Sequence, residues 1–92
     1  MKKIENARMA YQLVKQHLSP EFKIIRCFEF PEGWMIQYAY KVGFSTSLKP
    51  YFVSRDGKVS FFTVPSPYDD DIVTASKWIR EHGTLIPIDT LE

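Results

Sequence analysis

A chain of 92 residues has the length of one domain, and 12 basic against 11 acidic side chains give it a net charge of +1. This balance provides no overall field to steer the chain onto nucleic acid or an anionic membrane, so neither is an expected partner. Aromatic residues make up 15% of the sequence, which indicates a globular core and excludes a disordered chain. We therefore expect residues 1–92 to form a single domain.

The number of cysteines and the N-terminal residues give an expectation for the cellular compartment. The single cysteine, Cys27, cannot form an internal disulfide, which favours a reducing environment. The basic start at Lys2 and Lys3 resembles that of a signal peptide, but a polar stretch follows instead of an apolar one. No apolar run approaches the length of a membrane span. We expect a soluble, cytoplasmic protein.

The chain begins with the pattern of an amphipathic helix that ends at Ser19-Pro20. Its apolar side chains recur at steps of three and four residues, at Ile4, Ala7, Tyr11, Val14 and Leu18.

Four strands are predicted next. Residues 22–30 alternate with period two, and residues 34–42 alternate again. Pro50 opens a third, short strand, and Asp56-Gly57 supplies the tight turn of a hairpin whose second strand runs to Val64. The second strand has a candidate core face formed by Trp34, Ile36, Tyr38, Tyr40 and Val42.

A second helix is predicted after the acidic run that follows Tyr68. Its apolar face comprises Ile72, Ala75, Trp78 and Ile79, and Gly83 ends it. The tail at residues 85–88 is apolar but interrupted by proline, which suggests an extended arm against the body.

The order α-β-β-β-β-α predicts an α+β fold, in which a four-stranded antiparallel meander carries the N-terminal and C-terminal helices on one face. The C-terminal arm, the second helix or another protein would then cover the second face, because that face is too apolar to be fully solvated. Its apolar residues would be Ile25, Cys27, Met35, Ala39, Phe52, Phe62 and Val64.

Catalysis by Cys27 with His17 or His82 is the first chemical hypothesis, because a thiolate beside an imidazole is an activated nucleophile. However, Cys27 lies among apolar neighbours in a strand, where a free cysteine acts as a small hydrophobe. Both histidines fall in last helical turns, where the partial negative charge of the helix end favours them. We expect no catalytic residue and no enzyme.

The run Asp69, Asp70 and Asp71 has three interpretations. Carboxylates are ligands for Mg²⁺ or Ca²⁺, but the residues that follow supply no further oxygen ligands. The acids also suit a helix start, where one caps free N–H groups and the others lie in a favourable field. A partner-facing acidic patch is the third interpretation. We expect capping, and no metal or cofactor.

Aromatic side chains interleaved with lysine and arginine suggest base stacking on a sheet surface. The helix-first order departs from the common RNA-binding sheet, and core packing explains most of these aromatics. The sequence therefore favours no nucleic-acid partner.

Two segments carry a family resemblance. Residues 33–38 read Gly-Trp-Met-Ile-Gln-Tyr, and residues 50–59 contain Pro50, Val53, Arg55, Gly57 and Val59 ahead of an acidic helix start flanked by proline. This pattern resembles the YrhB-like group of bacterial immunity proteins, and more loosely the PepSY-type domains. The first resemblance implies a non-enzymatic protein that binds a secreted toxin to protect the producing cell.

Such a protein needs exposed anchors with complementary charge. The candidate partner-binding residues are Tyr68, Asp69, Asp70, Asp71 and Phe44. An acidic patch would suit a basic nuclease toxin. The alternative is a small-ligand or peptide-binding module, similar to PepSY domains, that uses Met35, Phe52 and Phe62. A homodimer that covers the second sheet face is compatible with each of these functions.

Overall fold

The computed structural model describes residues 3–43, 49–69 and 71–92 of the chain. In chain order the elements are α1 (Ala7–His17), β1 (Phe22–Phe30), β2 (Gly33–Tyr40), β3 (Tyr51–Ser54), β4 (Val59–Phe61), α2 (Ile72–His82) and β5 (Thr84–Ile86), followed by a 3-10 turn at Ile88–Thr90. The α+β class and the order of the predicted elements are confirmed.

The strands form one antiparallel sheet in the order β4-β3-β2-β1-β5. The fifth strand occupies the predicted C-terminal arm: Thr84, Leu85 and Ile86 pair with β1. Gly83 caps the end of α2, and Pro87 follows β5, so the added strand is confined to three residues. The sheet thus has five strands where the sequence predicted four.

The two helices lie on opposite faces of the sheet, whereas the sequence predicted both on one face. On the first face, α1 packs over Cys27, Trp34, Ile36 and Val53. On the second face, Ile79 of α2 packs with residues of β1 and β2, namely Phe28, Phe30 and Met35. The second helix therefore provides the cover that the apolar second face requires.

A bulge in β1 changes which side chains share a face. The pairing register with β2 shifts between Ile24 and Arg26. An extra residue in one strand reverses the alternation beyond it, so Cys27 faces α1 instead of joining Met35 on the second face as predicted. Ile25, at the bulge, is 39% exposed.

The close approach of β3 to the start of β2 explains the glycine of the Gly-Trp segment. A Cβ atom at Gly33 would overlap the carbonyl oxygen of Val53 on the adjacent strand. Only glycine allows β2 and β3 to approach this closely at that point.

Across residues 3–43, 49–69 and 71–92, no helix combines the length and the apolar character that crossing a membrane requires.

Candidate partner-binding surface

The predicted site residues that the structure describes lie at the start of α2. Tyr68 is in a turn closed by its own N–H, which donates to the carbonyl oxygen of Pro65 at 2.8 Å. Asp69 follows it and is exposed. Asp71 is the N-cap residue of α2. Phe44 and Asp70 lie outside the described residues.

Asp71 confirms the capping interpretation. Its Oδ1 accepts from the backbone N–H of Thr74 at 2.7 Å, and its Oδ2 accepts from the Thr74 hydroxyl at 3.1 Å. These two hydrogen bonds stabilise the carboxylate and hold the pKa of Asp71 below its usual value. The side chain therefore fixes the helix start while its charge stays on the surface.

Three apolar side chains at this helix start are exposed to solvent. Tyr68 is 46% exposed, Ile72 is 81% exposed and Val73 is 78% exposed. We call these three residues the α2-start patch. Asp69 and Asp71 lie in the same short segment, so the patch combines apolar anchors with negative charge.

Ile72 was predicted on the buried face of the helix, and the structure contradicts that prediction. Ile79 is the one buried residue of α2, so the helix contacts the sheet through its C-terminal half. Val73 lies off the predicted apolar face. An apolar residue off the buried face of a helix is the signal in the sequence that points to this patch.

Between α2 and the sheet, aromatic side chains form a cluster on the second face. Phe30 lies 5.5 Å from Phe62 and 5.9 Å from Trp78 between ring centroids, and Phe52 lies 5.9 Å from Phe62. In the small-ligand or peptide-binding function that the sequence offers as the alternative, Met35, Phe52 and Phe62 would form the ligand surface. Met35 is fully buried here, so it offers no surface to a ligand.

A recess of about 270 Å³ opens beside this cluster. We call it the aromatic recess. Its walls come from β1, the β1–β2 turn, β3, β4 and α2, and they are Phe30, Glu32, Phe52, Phe61, Phe62, Thr63 and Trp78. The recess has no signal in the sequence, because its walls are distant along the chain.

His82 is part of the same cluster. Its ring stacks on Trp78 with 4.3 Å between centroids, and its Nδ1 donates to the carbonyl oxygen of Trp78 at 2.8 Å. The contact fixes the imidazole at the end of α2.

Cys27 has the environment of a core residue. It is fully buried in the cluster under α1. Burial, with a smaller contribution from Glu29, raises the pKa of the thiol from 9.0 to about 12. A protonated, inaccessible thiol is a poor nucleophile. Within the described part of the chain, no group of three or more His, Cys, Asp or Glu side chains is placed to hold a metal ion.

Beyond α1, the first face carries a row of aromatic rings. Neighbouring centroids are 4.5 Å apart for Phe22–Tyr40 and 5.2 to 5.3 Å apart for Phe22–Tyr38, Tyr38–Tyr51 and Tyr51–Phe61. Burial, with smaller contributions from two neighbouring tyrosines, raises the pKa of Tyr38. Tyr40 was predicted in the core, but it is 40% exposed.

The length of α1 explains this exposure. Its 11 residues span roughly 16 Å, whereas the nine residues of β1 span roughly 30 Å, so the helix covers only part of the strand.

A groove of about 520 Å³ separates α1 from the β3–β4 turn. Ile4, Met9 and Leu13 form its apolar wall, and Asp56 and Gly57 form part of the opposite side. Its size suits a small molecule or one side of a short peptide.

No protein-family model, curated protein or solved structure matches this chain.

Proposed function

We propose that this chain is a non-enzymatic protein-binding domain that acts in the cytoplasm as an immunity protein against a cognate bacterial toxin. The observation that carries the proposal is the α2-start patch, where Ile72 and Val73 are 81% and 78% exposed beside two carboxylates. Large aliphatic side chains exposed side by side at a helix start are costly in water and favourable in an interface.

The charges at the patch favour a basic partner. Asp69 is exposed. Asp71 caps the helix through a hydrogen bond to the Thr74 N–H, and this bond leaves the negative charge of the carboxylate in place. Carboxylates at the rim of an apolar contact attract a positively charged surface and raise the association rate. A nuclease toxin that binds nucleic acid is a partner of this chemistry.

The patch supplies anchors and not the whole interface. Stable protein interfaces bury roughly 800 Å² on each partner, but a few central side chains carry most of the binding energy. Tyr68, Ile72 and Val73 fit the central role, and the aromatic recess extends the available surface on the same side of the sheet as α2.

Co-expression tests this function. We expect the chain to co-purify with the toxin domain encoded beside it as one stable species in size exclusion, and to restore growth of cells that produce that toxin. The double variant Ile72→Ser with Val73→Ser leaves the buried face of α2 intact and should weaken this complex, whereas the control variant Leu85→Ser should not. Independent elution of the two wild-type proteins without growth rescue would contradict the proposal.

The groove beside α1 favours a second function, the binding of a small ligand or peptide. With about 520 Å³ and an apolar wall from Ile4, Met9 and Leu13, it has the volume of a ligand site. A thermal-shift screen tests this function, since a ligand that binds only the folded state raises Tm. We expect any stabilising compound to lose its effect in Leu13→Glu. A compound that stabilises this variant equally binds elsewhere.

A further inference from the structure

The rings that line the aromatic recess include one nearly parallel pair, Phe30 and Trp78 at 18°, and one ring that is tilted against both, Phe62. Phe62 makes interplanar angles of 33° with Phe30, 41° with Phe52 and 48° with Trp78. Because Phe62 is tilted against its neighbours, the rings do not form one flat surface, and an open depression lies among them. The resulting space of about 270 Å³ accommodates one extended side chain with its terminal group.

Of the residues that the structure describes around the recess, one carries a charged side chain: Glu32, in the β1–β2 turn. Among the described residues, Glu32 has no ion-pair partner. Arg55 donates its backbone N–H to the Glu32 carbonyl oxygen, but its guanidinium pairs with Glu29 on the first face. The Glu32 charge is therefore available at the recess.

Aromatic walls beside one carboxylate favour a ligand group that carries a positive charge. The faces of Phe and Trp rings carry negative electrostatic potential, which attracts an ammonium or guanidinium group within about 6 Å of the ring centroid. A neighbouring carboxylate adds a charge-assisted hydrogen bond to the same group. Neutral apolar groups gain from the rings but gain nothing from Glu32.

We propose that the aromatic recess receives a cationic side chain, lysine or arginine, from the partner protein. This inference rests on the proposed function, because it assigns the partner a basic residue that enters the recess while the α2-start patch holds its apolar contacts. It adds the carboxylate of Glu32 to those of Asp69 and Asp71 as negative charge available to a basic partner.

The recess is tested on the full chain with n-butylammonium, which reproduces the lysine side chain, and with n-butanol as the neutral control of similar shape. Proton–nitrogen NMR spectra follow the indole N–H of Trp78 and the amide of Thr63 at constant ionic strength. We expect saturable shifts with n-butylammonium, with a Kd on the order of 10–100 mM, and weaker, unsaturated shifts with n-butanol.

Variants assign the binding to the recess. Glu32→Gln should raise the Kd about threefold or more without altering the fold, because the residue is exposed. Glu21→Gln is the control. It removes an exposed carboxylate just before the first residue of β1, whereas Glu32 comes after the last residue of that strand, and it should leave the Kd unchanged.

Equal shifts with butylammonium and butanol, or the same Kd in Glu32→Gln as in the wild type, would overturn the inference. Failure here differs from failure of the proposed function, which is measured with the toxin domain and needs no small cation.

Discussion

The guanidinium of Arg55 lies over the indole of Trp34, with Cζ 4.2 Å from the ring centroid. The same group donates from Nη2 to the Phe30 carbonyl oxygen at 2.9 Å and to the Glu29 carboxylate at 3.1 Å. Its Nε donates to the carbonyl oxygen of Pro31 at 3.3 Å. One side chain of the β3–β4 turn thus holds the end of β1 and the turn that follows it.

The backbone of Arg55 adds the N-terminal segment to this arrangement, since its carbonyl oxygen accepts from the N–H of Ile4 at 2.8 Å. Trp34 and Arg55 belong to the two segments that carry the family resemblance. Their contact gives both segments a structural role, because the cation–π pair joins the two hairpins of the sheet.

Replacement of Arg55 by alanine should lower the free energy of unfolding by about 2 kcal/mol, since the cation–π contact and two hydrogen bonds to carbonyl oxygens are lost. The ion pair with Glu29 adds little, because both side chains are about two-fifths exposed. Urea denaturation measures the change. Lys58→Ala, at an exposed position of the same hairpin, should stay within about 0.5 kcal/mol of the wild type. Equal stability of the two variants would show that Arg55 does not join the hairpins.

Leu91, near the C-terminus, should contribute as much to the free energy of unfolding as a residue in the centre of the core. Leu91 is 4% exposed and packs in the cluster under α1. Leu91→Ala should cost about 2–4 kcal/mol through lost burial and the cavity that remains. Leu85→Ala is the matched control, because Leu85 is 57% exposed, and it should cost far less. Thermal unfolding compares them, and a Leu91 variant as stable as the control would place this segment outside the core.

Thiol labelling should find Cys27 unreactive in the native protein at pH 8 and fully reactive in denaturant, because the thiol is buried and its pKa is raised to about 12. Rapid labelling of the native state would contradict the burial.

The same pKa shift predicts a pH dependence of stability. The pKa of the thiol is 9.0 when it is exposed in the unfolded chain and about 12 when folded, so the unfolded chain loses this proton first. The stability due to the neutral thiol is fully present below pH 9.0 and is lost as the pH rises towards 12. Cys27→Val, which keeps a small apolar side chain, should show a shallower loss of stability over this range. Identical curves would remove the thiol as the cause.

Two variants should separate the contribution of the Asp71 hydrogen bonds to stability from the contribution of its charge. Asp71→Ala removes the hydrogen bonds to Thr74 and should lower Tm, whereas Asp71→Asn keeps a good N-cap and should lower it less. The folded pKa of Asp71 lies below the usual 3.8, so the stability from its charge is present above pH 3.8 and is lost as the pH falls through the folded value. Circular dichroism melts should therefore show Asp71→Asn approaching the wild type below pH 3.8. A difference that persists in acid would contradict this assignment.

Most of the fold follows from periodicity and turn residues. The alternation of residues 34–42 identifies the core face at Trp34 and Ile36, and Gly83 marks the end of α2. The fifth strand was not predicted, because three residues followed by Pro87 carry too weak a pattern. The bulge near Ile25 was also missed, since a pairing register depends on the partner strand and not on β1 alone.

The candidate site is only partly predictable. The sequence predicts a helix start after Tyr68, because acidic residues that follow prolines are typical of such a start, and Asp71 caps the helix there. The exposure of Ile72 depends on where α2 contacts the sheet, which the helical pattern does not determine. Glu32 and Trp78 line one recess although they are far apart along the chain, so only the fold brings them together.

The most direct test of the proposed protein-binding role is the affinity of the chain for its proposed partner, a purified bacterial toxin domain, measured by calorimetry. We expect the double variant Ile72→Ser with Val73→Ser to raise the Kd at least tenfold, equivalent to about 1.4 kcal/mol, while Leu85→Ser leaves it unchanged. An equal Kd for the wild type and the double variant, or no binding by the wild type, would contradict the role of the α2-start patch.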